Sequence, residues 1–210
     1  MYLFLKLCFI FLFIDKQLKT FNFMDLSRWY IVHAFGNIVI CYYAIQPIYY
    51  VLSDPIKHLS YPTKYSYTVY ITSSIHIFHI INYKCNYDDI FHHIFFVLIG
   101  TLVNWVYNYG YITPFFHFFS CGLPGAIDYI ALACYKEKYI SKRKRLKIAN
   151  FLNVWIRSPG IAFIWALSYI WYLKNNDIYG YILLTLLSVT NGQYYNNMVA
   201  ITYGKYITND

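Results

Sequence analysis

Apolar residues fall in long runs separated by short polar stretches. Six runs approach the length of a membrane-spanning helix, about 20 mostly apolar residues. They cover residues 28–51, 65–82, 90–109, 112–134, 149–173 and 178–200. A seventh run, MYLFLKLCFIFLFI, covers residues 1–14. At about 1.5 Å per residue it reaches about 21 Å, short of a bilayer core. It reads as an interfacial helix, a short span or a signal-like segment. Lys6 inside the run, with no small-residue cleavage site after it, counts against a cleaved signal peptide. The pattern predicts an all-α, polytopic membrane helical bundle. Its parts are an N-terminal hydrophobic segment with a basic loop (1–27), a transmembrane domain (28–203) and a short tail (204–210).

Composition supports the same class. The chain of 210 residues is 59% hydrophobic and 12% charged, against about 25% charged in a soluble domain. The 26 Tyr and 17 Phe accompany an excess of Lys over Arg. That is the signature of AT-rich coding, so the tyrosines alone carry no functional reading. Cys8, Cys41, Cys85, Cys121 and Cys134 show no paired spacing and read as small buried hydrophobes. There is no C-x-x-C, P-loop or G-x-G-x-x-G pattern, no internal repeat and no sign of a second domain.

Charge gives an orientation. The block KEKYISKRKRLK, residues 136–147, carries seven basic residues and one acid. Apolar runs on both sides make it a cytosolic loop rather than a nucleic-acid patch. Lys16, Lys19, Arg28, Lys84 and Lys205 then fall on the same side, and only Lys57, Lys64 and Lys174 on the other. This is a consistent positive-inside arrangement, and no nucleic-acid partner is expected.

Polar residues inside the runs converge on one depth. Counted from the cytosolic ends, His33, His76, His79, His92, His93, Asp128, Arg157, Asn196 and Asn197 lie roughly 3–12 Å below one membrane face. Asp89, His92 and His93 sit at i, i+3 and i+4, on one helical face. His76 and His79 share a face in the same way. Intramembrane ionisable groups usually face the bundle interior and pair with each other, so Asp128 and Arg157 are expected to form an ion pair. The stretches SCGLPGAID and RSPG are expected to break or bend their helices. Asn104, Asn108 and His117 lie toward the other face and read as helix–helix hydrogen bonders.

A histidine with a carboxylate one turn away can serve as a general base. That suits acyl transfer, in which a hydroxyl or amine loses a proton as it attacks a thioester. In this reading His92 or His93 is the base and Asp89 the orienting carboxylate. Asp128 is a further catalytic candidate, and His76, His79, Arg157, Asn196 and Asn197 line the cavity with polar groups. Neither a cofactor nor a metal is required. The same histidines with Asp89 and Asp128 could instead ligate metal, as in membrane di-iron oxygenases. Those use several H-x-x-H-H boxes, whereas here one DIFHH occurs, with Asp89 at the first histidine position.

The run YTVYITSSIHIFHIINYKCNYDDIFHHIFFVLIG, Tyr67 to Gly100, resembles the TLC domain shared by TRAM proteins and ceramide synthases. RWYIVHAFGN, Arg28 to Asn37, is similar to the first helix of that family. The resemblance implies a six-helix bundle enclosing a lipid-sized cavity, with an endoplasmic reticulum address. It also implies that His92 and His93 correspond to the paired histidines that ceramide synthases use in transferring an acyl chain from acyl-CoA. The second acidic motif of those enzymes is incomplete here. HFFSCGLPGAIDY offers His117 and Asp128 alone. The expected function is binding of a membrane lipid or acyl chain in an intramembrane cavity, in lipid metabolism or homeostasis. Acyl-CoA-dependent transfer at a His-His/Asp site is the alternative. The sequence leaves the oligomeric state open.

Overall fold

The structure is a computed structural model that describes residues 2–59 and 67–208. Lys64, the first two residues of the expected 65–82 span and the last two of the tail lie outside the described residues. Every regular element among the described residues is helical. The helices are α1 (Tyr2–Thr20), α2 (Asp25–Ser53), the single turn α3 (Pro55–His58), α4 (Tyr67–Asn82), α5 (Tyr87–Tyr107), α6 (Ile112–Lys136), α7 (142–175) and α8 (Ile178–Thr208).

Three of these, α2, α5 and α6, are long and apolar enough to cross a membrane. This is compatible with an integral membrane protein. The other expected spans coincide with helices that depart from that standard for visible reasons. Helix α4 has 16 residues, about 24 Å of rise. Helices α7 and α8 dilute their apolar runs with tyrosine, tryptophan and amides. The block 136–147, expected as a loop, is largely helical. It forms the end of α6, a connection over 137–141 and the first turns of α7. Ser141 caps α7 by accepting from the Lys144 N–H at 3.2 Å.

Side chains sort by helical face. On α4, Ile71, Ile75 and Phe78 join Phe11, Val32 and Ile40 in one apolar cluster. Thr72, His76 and His79, each one position along, face the polar interior. Gly36 of α2 lets α1 and α4 close in, because a Cβ there would collide with Ile75 and touch the Phe11 ring. The first hydrophobic segment is thus a packed member of the bundle. Asp15 of α1 binds Arg28 at 3.2 Å and accepts from the Tyr83 hydroxyl at 2.5 Å. Arg28 also pairs with Asp25. A second apolar cluster, including Tyr109, Ile112, Phe115, Ile164 and Trp171, joins α6 to α7 and α8.

Three helices contain π-helical stretches: His93–Leu98 in α5, Phe118–Gly122 in α6 and Asn153–Arg157 in α7. π-Bulges occur mostly as single turns and are frequent at functional sites. Two of them end two residues before a proline, Pro124 and Pro159. The expected helix breaks are therefore local π-adjustments within continuous helices.

Candidate functional site

Three helices bring five histidines together. α2 contributes His33, α4 contributes His76 and His79, and α5 contributes His92 and His93. Ring centroids are 5.3 Å apart for His33–His79, 5.1 Å for His76–His93, 5.1 Å for His79–His93 and 5.0 Å for His76–His92. Trp29 stacks on His79 at 4.6 Å, and Tyr129 lies 4.9 Å from His33. Tyr195 of α8 closes the cluster 5.4 Å from His92.

Hydrogen bonds fix part of the proton arrangement. His76 Nδ1 lies 2.6 Å from the Thr72 carbonyl oxygen. A carbonyl can only accept, so Nδ1 carries the proton. With the ring neutral, His76 Nε2 is an acceptor. His92 Nε2 lies 3.0 Å from it and must donate. The lone pair of the His92 ring then sits on Nδ1, which is buried without a hydrogen-bond partner. His93 Nδ1 is likewise buried and unpartnered. Leaving such an atom unsatisfied costs about 1–3 kcal/mol, so two in one cluster mark a place where a ligand would be stabilising.

The predicted carboxylates make their closest contacts outside the histidine cluster. Asp89 closes a capping box at the start of α5. Its Oδ2 accepts from the Asn86 N–H at 2.9 Å, while Asn86 Oδ1 accepts from the Asp89 N–H at 2.9 Å. The carboxylate thus satisfies the Asn86 N–H at the helix start and makes no hydrogen bond to His92 or His93. Asp128 lies 3.5 Å from Arg145, one turn into α7, in place of the expected pair with Arg157. That is an ion-pair distance without hydrogen-bond geometry.

Arg157 has a different task. Pro124 has no N–H to offer the Ser120 carbonyl four residues earlier. Arg157 Nε donates to that oxygen at 2.9 Å, and Nη1 donates to Asn153 Oδ1 at 2.6 Å. The guanidinium also lies 5.6 Å over the Tyr195 ring. It bridges two π-stretches and borders the histidine cluster through Tyr195. Of the predicted α8 amides, Asn197 is exposed and Asn196 half-buried. Tyr195 is the side chain that α8 presents to the cluster.

A cleft runs along α5, bounded by α4, α6 and α8. It is lined mainly by apolar residues such as Val69, Phe96, Val97 and Leu184, with Thr72, Asn104, His117 and Asn191 as polar points. Its cavity volume is about 50 Å³. This cleft is partly open and smaller than the expected lipid-sized cavity. Thr72 ties groove to cluster, because it lines the groove while its carbonyl holds His76. Thr72 Oγ1 and Asn191 Oδ1 are buried and unpartnered. Across the groove, His117 Nδ1 lies 2.8 Å from Thr68 Oγ1, and Thr113 donates to Asn104.

Periodicity pairs His76 with His79 and His92 with His93, whereas His33 shares only their depth. Its signal was the four-residue step from Trp29, which places both on one face. Tyr129, Asn153 and Ser120 had no sequence signal beyond their depth. Comparison of the chain with protein-family models, with curated proteins and with solved structures finds no match.

Proposed function

We propose that this is a multi-pass membrane protein of the TLC type that holds a lipid or acyl chain in the groove along α5, in lipid metabolism or homeostasis. The chain's polar end would point toward the histidine cluster. The observation that carries this reading is the continuity of the groove with the cluster through Thr72 and the α5 π-stretch. The cavity measures about 50 Å³, below the roughly 300–1,000 Å³ of small-molecule sites, so a bound chain would lie along the cleft with most of its length on the open side. The side opening suits a ligand that arrives from within a bilayer. In the same reading the cluster end, with its neighbouring basic residues, faces the cytosol in an endoplasmic reticulum-type membrane.

Gly100 provides the test. It lines the groove, and a Cβ there meets nothing within 4 Å. Gly100→Leu should place apolar bulk in the groove from a position where the backbone admits a Cβ freely. A photoactivatable long-chain lipid should label α5 and α8 in the native protein and label Gly100→Leu several-fold less. Equal labelling of the two proteins would refute groove binding.

The His92 lone pair favours a second reading, acyl transfer. His92 Nδ1 would take the proton from a hydroxyl or amine as that group attacks the thioester carbonyl of acyl-CoA. The C–S bond would then break and the thiolate leave, taking a proton to give free CoA. Purified protein should release CoA in the presence of a long-chain amine or alcohol. Equal turnover by the His92→Ala variant would exclude His92 as the base.

A further inference from the structure

We propose that His79, Cys85 and His93 form a binding site for a divalent ion of the zinc class, clasping α4 to α5. This inference is independent of lipid binding and uses a different part of the cluster from His92. One donor atom from each of the three residues lies within 4.8 Å of the others. A tetrahedral zinc ion, with bonds of about 2.0–2.3 Å, needs donors roughly 3.3–3.8 Å apart. Closing on an ion therefore asks the donor atoms to approach one another by about 1 Å.

The donor set fits that class of metal. Two imidazoles and one thiolate are the borderline-soft ligands that zinc favours over the oxygen ligands that calcium and magnesium require. Three protein ligands leave a fourth position for water or an anion. The residues also lack competing commitments. His93 is 6% exposed, and its Nδ1 has no hydrogen-bond partner. His79 is held by stacking on Trp29. Cys85 has only a 3.9 Å contact with the Tyr83 carbonyl. Burial and the nearby Asp89 charge push the Cys85 thiol up. Left alone it is an unreactive thiol, whereas a bound cation would stabilise the thiolate.

Position supplies the purpose. His79 lies near the end of α4, Cys85 in the 83–86 connection and His93 at the start of the α5 π-stretch. All three fall within fifteen residues of sequence, so the site closes a short loop. Helix α5 is the least buried of the three membrane-length helices, at 11% against 39% for α2 and for α6. It also forms one wall of the groove. An ion here would fix the helix that the bundle itself holds least firmly.

The test uses full-length protein in detergent, stripped of metal and titrated with Zn²⁺ and with Co²⁺. The native protein should bind one equivalent of Zn²⁺, and Co²⁺ should produce a thiolate-to-metal charge-transfer band. Cys85→Ser should abolish that band and weaken Zn²⁺ binding by at least tenfold. Cys134→Ser, in α6, should leave both unchanged. His93→Gln should weaken binding similarly while the protein keeps its elution position. Absence of stoichiometric Zn²⁺ binding by the native protein would overturn the proposal. So would a charge-transfer band that survives Cys85→Ser.

Discussion

Replacing Arg157 with Met tests how the proline-altered helices are held together. The substitution keeps a long apolar stem and removes the donors to the Ser120 carbonyl and to Asn153 Oδ1. Pro124 cannot take over the first of these, so the Ser120 oxygen loses its side-chain donor. Hydrogen bonds to a charged group contribute about 1.5–3 kcal/mol each. The guanidinium itself carries a desolvation cost that Met does not. Setting two such bonds against that relief leaves a net loss of about 3 kcal/mol. For a chain of this size about 1 kcal/mol shifts Tm by about 2–4 °C, so the expected fall is about 6–12 °C. The assay is thermal unfolding in detergent, followed by tryptophan fluorescence. Arg157→Lys, which keeps the charge but not the planar fork, should fall between the two. A Tm within 1 °C of native for Arg157→Met would refute the capping role. A loss confined to Arg157→Ala, with Arg157→Met near native, would assign the effect to packing of the stem.

Gly160→Ala should be destabilising by about 1–3 kcal/mol, as for an overpacked core site, because its Cβ would collide with the Cβ and ring of Phe119. Gly100→Ala is the control with open space around it, and equal melting temperatures for the two variants would contradict this packing. The Tyr83 hydroxyl is pushed above its ordinary value by burial and by its bond to Asp15. A phenol held protonated in the folded state lets the unfolded chain ionise first. The Tyr83 contribution to stability should thus be constant below about pH 10 and fall as pH rises above that, where the unfolded phenol ionises. Tyr83→Phe should flatten the fall when melts are compared between pH 8 and 11, and an unchanged slope would exclude the contribution.

Much of the candidate site was legible as depth and facing. His76 and His79 share a helical face with Thr72, and Asp89, His92 and His93 share another, because a 3.6-residue period is a local property. Which groups then bond was not legible. Asp89 stands one turn before His93, yet Asn86 three residues earlier makes it a capping residue. The N–H groups at a helix start are obligatory donors that a nearby carboxylate satisfies first. Asp128 and Arg157 share a depth, but depth leaves their rotation about two helix axes undefined.

The sequence by itself determined that the chain is helical, apolar and organised around a polar layer. Hydrophobic run length and periodicity depend only on neighbours along the chain. The tertiary structure alone decided that His33 joins the other four histidines and that Cys85 reaches His79 and His93. It also decided that Arg157 serves the carbonyl freed by Pro124, and that the cleft beside α5 is partly open and smaller than the expected cavity. Each of these depends on how α2, α4, α5, α6 and α7 are rotated and spaced against one another. That rotation is set by close approaches such as Gly36 against Ile75 and Gly160 against Phe119, contacts between residues far apart in sequence that no local pattern encodes.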